Sequence, residues 1–180
     1  RLPIWEGDQI FLDLLAGVNL LEPYAFYLVD SFGTLQRPGL LRLFALADHN
    51  LAPGIRIGFH PHNNLQLAFS NAQALAELHS SRDLIVDCSV YGMGRGAGNL
   101  NTELFARYLN EQQGGRYRLA PLLDILDGVV LDFYRQNPWG YTAAYYLTAS
   151  HQAHPDYGSY LERQESLSAR EMDGILAGLD

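Results

Sequence analysis

Two imidazoles two residues apart, in His60-Pro61-His62-Asn63-Asn64, are the side chains of this sequence best typed and spaced for chemistry. They close an alternating run, Ile55-Arg56-Ile57-Gly58-Phe59, in which Ile55, Ile57 and Phe59 share one side. Successive side chains of a strand point to opposite faces, so His60 and His62 project together on the other side. Gly58 precedes them on that face and leaves it open. Two imidazoles on one face of a strand end supply half of a metal coordination shell. The alternative is a pair of surface or hydrogen-bonded histidines in a loop.

The elements that must position this pair follow from periodicity. The segment 8–21 is near helical spacing through Ile10, Leu14 and Leu21, and 24–30 is an aromatic and β-branched strand ending at Asp30-Ser31-Phe32-Gly33. A helix is expected over 35–48, a break at Pro53-Gly54, a strand over 55–60 and an Ala/Leu-rich helix over 65–78. A third strand is expected over 84–90, then a Gly-rich turn and a helix over about 102–110. Strands alternating with helices predict parallel pairing and an α/β architecture. After Gly114-Gly115 the strand signal ends. A long amphipathic stretch over 119–134, a break at Pro138-Trp139-Gly140-Tyr141 and helices over 141–152, 159–163 and 168–176 follow, with Ser168 and Glu171 in capping-box spacing.

Composition narrows the function classes. The chain has 180 residues, is 48% hydrophobic and carries a net charge of −8, which suits a globular domain with a sizeable core. No basic run or face stands out, so neither nucleic acid nor an anionic membrane is an expected partner. The single cysteine, Cys88, excludes an internal disulfide framework, and its apolar surroundings predict a packed strand thiol rather than a nucleophile. There is no apolar stretch of membrane-spanning length and no signal-like start, so a cytoplasmic location is expected.

The Gly-rich turn Gly92-Met93-Gly94-Arg95-Gly96-Ala97 satisfies the short G-x-G-x-x-A dinucleotide pattern. That fingerprint opens a first βα unit and is followed by a second strand with an acid, whereas this turn closes the third unit and leads into helix. A turn whose glycines take positive φ and leave amides free beside a helix N-terminus is the better reading. Such a turn can still serve an anionic substrate.

Taken together, Val29-Asp30-Ser31-Phe32-Gly33, Ile57-Gly58-Phe59-His60-Pro61-His62-Asn63-Asn64 and the stretch from Asp87 through Gly96-Ala97-Gly98-Asn99 to Glu103 resemble the last three strands of the DRE-type TIM-barrel metallolyases. That superfamily includes 4-hydroxy-2-oxovalerate aldolase, HMG-CoA lyase, and the isopropylmalate and homocitrate synthases. The resemblance covers roughly residues 8–112. The tail, with Trp139-Gly140-Tyr141 and Tyr145, is more loosely similar to the helical C-terminal region of the aldolase branch.

The resemblance implies the C-terminal part of a (β/α)8 barrel, about three βα units over 1–112, followed by a helical region over 113–180. It implies that His60 and His62 are metal ligands and that Asn99 lies near the metal as a ligand or hydrogen-bond partner of one. Ser31 falls where the aldolases contact the substrate carboxylate, and Asp30 orders the strand end. Tyr141, with Tyr145 as alternative, is the candidate for a tail tyrosine that approaches the reacting hydroxyl; its other reading is a packed aromatic. Arg95 either attracts an anionic substrate or is a solvated loop arginine. The implied activity is divalent-metal-dependent cleavage of a 4-hydroxy-2-oxo acid through a metal-bound pyruvate enolate, with Mn²⁺, Mg²⁺, Co²⁺ or Zn²⁺ all compatible.

Two departures qualify that reading. The Asp-Arg-Glu signature near the first strand, source of a third metal ligand and a catalytic arginine, is absent, and eight βα units need typically about 250 residues. The chain is therefore expected to be part of a longer protein or to receive its missing N-terminal barrel half from elsewhere. The cysteine that HMG-CoA lyase carries in its Gly-rich loop is also missing, which favours the oxo-acid aldolase branch. An acyl-CoA-dependent condensing enzyme and a non-catalytic fragment or assembly domain are the alternatives. Aromatic residues in the tail make a homodimer an expectation as well.

Overall fold

The computed structural model describes residues 7–78 and 80–179; residues 1–6, 79 and 180 of the expected barrel and tail segments lie outside it. Helix α1 (Gly7–Leu21) leads into strand β1 (Ala25–Asp30), α2 (Arg37–Asn50), β2 (Arg56–Pro61), α3 (Ala68–Ala76), β3 (Leu84–Val86) and α4 (Thr102–Gln113). The three strands form one parallel sheet in the order β1-β2-β3, with Leu28 beside Phe59 and Phe59 beside Val86.

Register divides the sheet into two unlike faces. Leu28, Ile57 and Phe59 point into a core built with Leu15 of α1, Leu40 and Phe44 of α2 and Leu75 of α3, and Phe59 is only 1% exposed. A Phe side chain buried to that degree contributes roughly 1.5–3 kcal/mol by area alone. The opposite face carries Tyr27, Val29, Gly58 and His60, and Val29 is 53% exposed there. Parallel sheets are ordinarily covered on both faces. Here the helices α1 to α3 cover one face, and the face left open is the one that carries the imidazoles.

The connection between α2 and β2 is held by a side chain far away in sequence. Arg82, 9% exposed in its side chain, places Nε 2.9 Å from Asp48 Oδ1, Nη1 2.8 Å from the Ala52 carbonyl, and Nη2 3.0 and 3.1 Å from the Asp48 and Leu51 carbonyls. It also donates to the Ile55 carbonyl. A helix C-terminus leaves carbonyls without intrahelical partners, and the planar guanidinium fork collects them together with the Asp48 carboxylate.

The third strand is shorter than expected. After Val86 the Asp87 amide still reaches the Phe59 carbonyl, but Ser89 then exchanges bonds with Leu100 and Thr102 of its own return segment. Cys88 therefore stands beyond the ladder, and it is exposed rather than packed as expected.

The remaining elements are helices α5 (Ala120–Ile125), α6 (Leu131–Gln136), α7 (Ala143–Ser150), α8 (Pro155–Glu162) and α9 (Ala169–Ala177). The stretch expected as one amphipathic segment keeps helical backbone throughout but widens to a π-type turn over Leu126–Val130, around Gly128. Helices α7, α8 and α9 share a small core of Ala144, Leu161, Met172 and Leu176. Helix α9 begins with the expected capping box: the Ser168 side chain accepts from the Glu171 amide, and the Glu171 carboxylate accepts from the Ser168 amide at 2.8 Å. Among the described residues no helix is long and apolar enough to cross a membrane.

Candidate functional site

The site lies at the C-terminal ends of the strands, where β1, β2 and the segment after β3 come together. His60 and His62 point the same way, as the alternation requires, with ring centroids 4.9 Å apart and planes at 70°. Pro61 between them is fully buried on the core face. Each ring is fixed through Nδ1: that of His62 lies 2.8 Å from the Asp30 carbonyl, and that of His60 lies 2.8 Å from Asp87 Oδ2.

These partners decide what the rings can do. A backbone carbonyl only accepts, so Nδ1 of His62 carries the proton and its Nε2 presents a lone pair. A carboxylate likewise accepts from His60 Nδ1. Both imidazoles then offer Nε2 to a cation, the arrangement in which a second partner fixes the ring orientation of a metal-bound histidine. The donor set of this chain thus fits a divalent metal. Among the described residues, however, no three His, Cys, Asp or Glu side chains stand together as a shell.

Asp30 orders the end of β1, as expected. Its carboxylate accepts from the Thr34 amide at 2.9 Å and the Leu35 amide at 3.1 Å, while its carbonyl accepts from Gly33 and His62. Burial pushes its pKa above the usual carboxylate value, against the pull of those two amides. Ser31 follows it, exposed at the strand end.

The Gly-rich loop brings Asn99 to the histidines. His62 and Asn99 form an isolated antiparallel bridge, and the Asn63 amide donates to the Gly98 carbonyl at 2.9 Å. Asn99 Nδ2 donates to the Met93 carbonyl at 2.9 Å, and its side-chain oxygen remains as an acceptor. Gly92, Gly96 and Gly98 take positive φ as expected, but the amides of Gly92, Met93, Gly98 and Asn99 are hydrogen-bonded within the loop rather than free. At Gly98, with φ of 81°, a Cβ would stand 2.4 Å from the Gly92 carbonyl oxygen. Gly98→Ala is therefore expected to cost about 2–4 kcal/mol, from the left-handed backbone and the clash together. A urea unfolding midpoint unchanged by the substitution would refute this.

Glu103, the last residue of the stretch that begins at Asp87, and residues of the tail buttress the loop. Glu103 accepts from the amide of Tyr91, which sits at φ 58°, and from Asn101 Nδ2. From the tail, Trp139 Nε1 donates to the Tyr91 carbonyl and the Gly140 amide to the Gly96 carbonyl, both at 2.9 Å. The Tyr145 ring lies against Gly96 and Gly158, where added Cβ atoms would come within 3.1 and 2.7 Å of it.

Of the expected site residues, the structure brings His60, His62 and Asn99 together and sets Ser31 beside the residue that anchors His62. Arg95 is exposed, and Tyr141 is 59% exposed with its ring 6.2 Å from that of Tyr146. Among the described residues no hydrogen bond, ion pair or ring contact joins either side chain to the imidazoles. The residues that sequence reasoning missed are Asp87 and Tyr27, whose hydroxyl donates to Asp87 Oδ1 at 3.3 Å. Desolvation, and then the Asp87 charge, raises the Tyr27 pKa, so this phenol stays a donor at neutral pH. Their signal was available in the polar members of alternating strands, Tyr27 in one and Asp87 in the other.

The model of the HMGL-like family matches residues 9–127, about two thirds of the chain and every residue of this strand-end cluster. The chain belongs to the HMGL-like family. It is 38% identical over 117 residues to the 4-hydroxy-2-oxovalerate aldolase of Chloroflexus aurantiacus, covering 63% of this chain and 31% of that protein. To the enzyme of the same name from Desulfitobacterium hafniense it is 44% identical over 105 residues, covering 56% and 30%. The chain thus spans about a third of the length of the curated relatives it matches. Its fold is similar, at a TM-score of 0.78 and 27% identity, to the crystal structure of the N-terminal domain of a Bacteroides vulgatus protein provisionally classed as an aldolase, covering 94% of this chain and 52% of that one. The carboxyl transferase domain of Rhizobium etli pyruvate carboxylase, with oxalate, shares the fold at a TM-score of 0.63 and 17% identity, over 87% of this chain and 26% of that one. An HMGL-like chain with a parallel sheet flanked by helices agrees with the α/β, partial-barrel expectation in its coarse form.

Proposed function

We propose that this chain is the C-terminal part of an HMGL-like (β/α)8 barrel, three βα units and a helical region. In the complete protein it serves a metal-dependent aldolase that cleaves a 4-hydroxy-2-oxo acid. The observation that carries the reading is the pair of imidazoles locked through Nδ1, with both Nε2 atoms offered from the open face of β2. The aldolase relatives and the strand edges of β1 and β3, unpaired among the described residues, support it.

In this reading His60, His62 and Asn99 hold the cation, and the missing barrel half supplies the remaining ligands. A divalent cation, when bound, supplies the Lewis acidity that draws charge from a 2-oxo acid. Ser31 orients the substrate carboxylate. Tyr141, or Tyr145 in its place, faces the C4 hydroxyl; a base of the complete site takes its proton as the C3–C4 bond breaks, the C4 oxygen becomes the aldehyde carbonyl, and the C3–C4 electron pair passes to C3.

The test is cleavage of 4-hydroxy-2-oxovalerate by the complete protein with Mn²⁺. Pyruvate and acetaldehyde released in equal amounts, and lost on chelation, are expected. Condensation of acetyl-CoA with a 2-oxo acid in the absence of such cleavage would replace this reading by that of an acyl-CoA-dependent synthase.

A further inference from the structure

The face that carries the imidazoles holds one more built arrangement. Asp87 follows the last residue of β3, and its carboxylate is shared between two partners on that face. Oδ2 lies 2.8 Å from His60 Nδ1, and Oδ1 accepts from the Tyr27 hydroxyl at 3.3 Å. The three side chains come from three different strand segments, 27 to 60 residues apart in sequence. Gly58 makes the arrangement possible: a Cβ there would stand 2.4 Å from the Tyr27 ring, so the ring crosses β2 in the space that only glycine leaves.

We propose that Asp87, steadied by Tyr27, is a positioning residue that holds His60 as its Nδ1–H tautomer and so keeps Nε2 unprotonated for a cation. The inference rests on the metal reading above, and it adds residues that no shared motif of the histidine stretch contains. The two histidines differ in how they are fixed. His62 leans on a backbone carbonyl that no substitution of a side chain removes, whereas His60 depends on one carboxylate. A free imidazole side chain prefers the opposite tautomer, with the proton on Nε2. Without Asp87, His60 would present N–H where the cation needs a lone pair. Tyr27 occupies the second carboxylate oxygen, which prevents Asp87 from rotating away from the ring.

Long-range ¹H–¹⁵N NMR of the imidazole rings in the intact chain reads this directly. The wild type is expected to show Nδ1–H for both rings. In Asp87→Ala, His60 is expected to go over to mainly Nε2–H while His62 keeps Nδ1–H in the same spectrum, a control that the fold is intact. Tyr27→Phe is expected to broaden or mix the His60 signals without moving those of His62. Titration of the complete protein with Mn²⁺ is expected to show affinity falling about 10–100-fold in Asp87→Ala, the range typical of a lost ligand-orienting partner. A wild-type His60 that carries its proton on Nε2 overturns the proposal without any variant, and so does a His60 that keeps Nδ1–H in Asp87→Ala. A complete protein that shows the expected tautomers but takes up no Mn²⁺ overturns the metal reading instead, and leaves the tautomer role of Asp87 upheld.

Discussion

Replacing His60 and His62 together by alanine is expected to lower pyruvate C3 proton exchange in the complete protein by on the order of a thousand-fold or more. Lewis-acid stabilisation of developing charge amounts to several kcal/mol, and each 1.4 kcal/mol is about tenfold in rate. The two rings are the only imidazoles among the described residues that share a strand end and a face, and each is fixed by a partner on Nδ1. Removing both takes away two of the three donors that this chain would contribute and leaves only the Asn99 side-chain oxygen from it. Both rings are partly exposed on the open face, away from the core of Leu28, Ile57 and Phe59, so the thermal midpoint is expected to change little. Exchange equal to wild type in the double variant would reject the assigned metal role. A matching loss of Mn²⁺ uptake, measured on the same protein, separates lost binding from a misplaced substrate.

The second large effect is on stability, with no chemistry at stake. Arg82→Ala is expected to destabilise the chain by about 3–5 kcal/mol, the range for breaking a buried ion pair by removal of one partner. The guanidinium serves Asp48 and the carbonyls of Asp48, Leu51, Ala52 and Ile55 from a side chain only 9% exposed. Its loss leaves the carbonyls at the end of α2 without their partner in a partly dry region. Arg82→Lys is expected to restore less than half of the loss, since one ammonium with three donors cannot span five acceptors arranged around a planar fork. Urea unfolding of the three proteins measures both numbers. A loss below about 1 kcal/mol in Arg82→Ala would place Arg82 with ordinary surface ion pairs.

The histidine pair and Arg82 mark how far the sequence could be read. The histidine pair was legible because strand alternation is a local rule: two residues of separation suffice to place both rings on one face, and Gly58 on the same face could be read in the same way. The capping box at Ser168 and Glu171 was legible for the same reason, whereas the role of Asp30 at its strand end came from the family resemblance. Cys88 was misread because strand propensity continued past Val86, while the chain in fact turned to pair with Leu100 and Thr102. Propensity says what a segment tolerates; where a ladder stops depends on which partner remains.

By itself, then, the sequence determined the order of the strands and helices, the face on which the imidazoles stand and, through D-S-x-G, H-P-H-N and G-A-G-N, the family. The elements and the face rest on neighbours within a few residues along the chain, where covalent geometry restricts the outcome, and the family on the order and intervals of those motifs. Only the tertiary structure decided that Asp87 holds His60, that Tyr27 crosses Gly58 to reach Asp87, that Arg82 closes the end of α2, and that Trp139 pins the loop carrying Asn99. Each of those contacts joins groups about 30 to 60 residues apart, and each depends on strand register and helix docking. Register is set by the whole core at once, because a slip of one residue would turn every side chain of a strand to the opposite face.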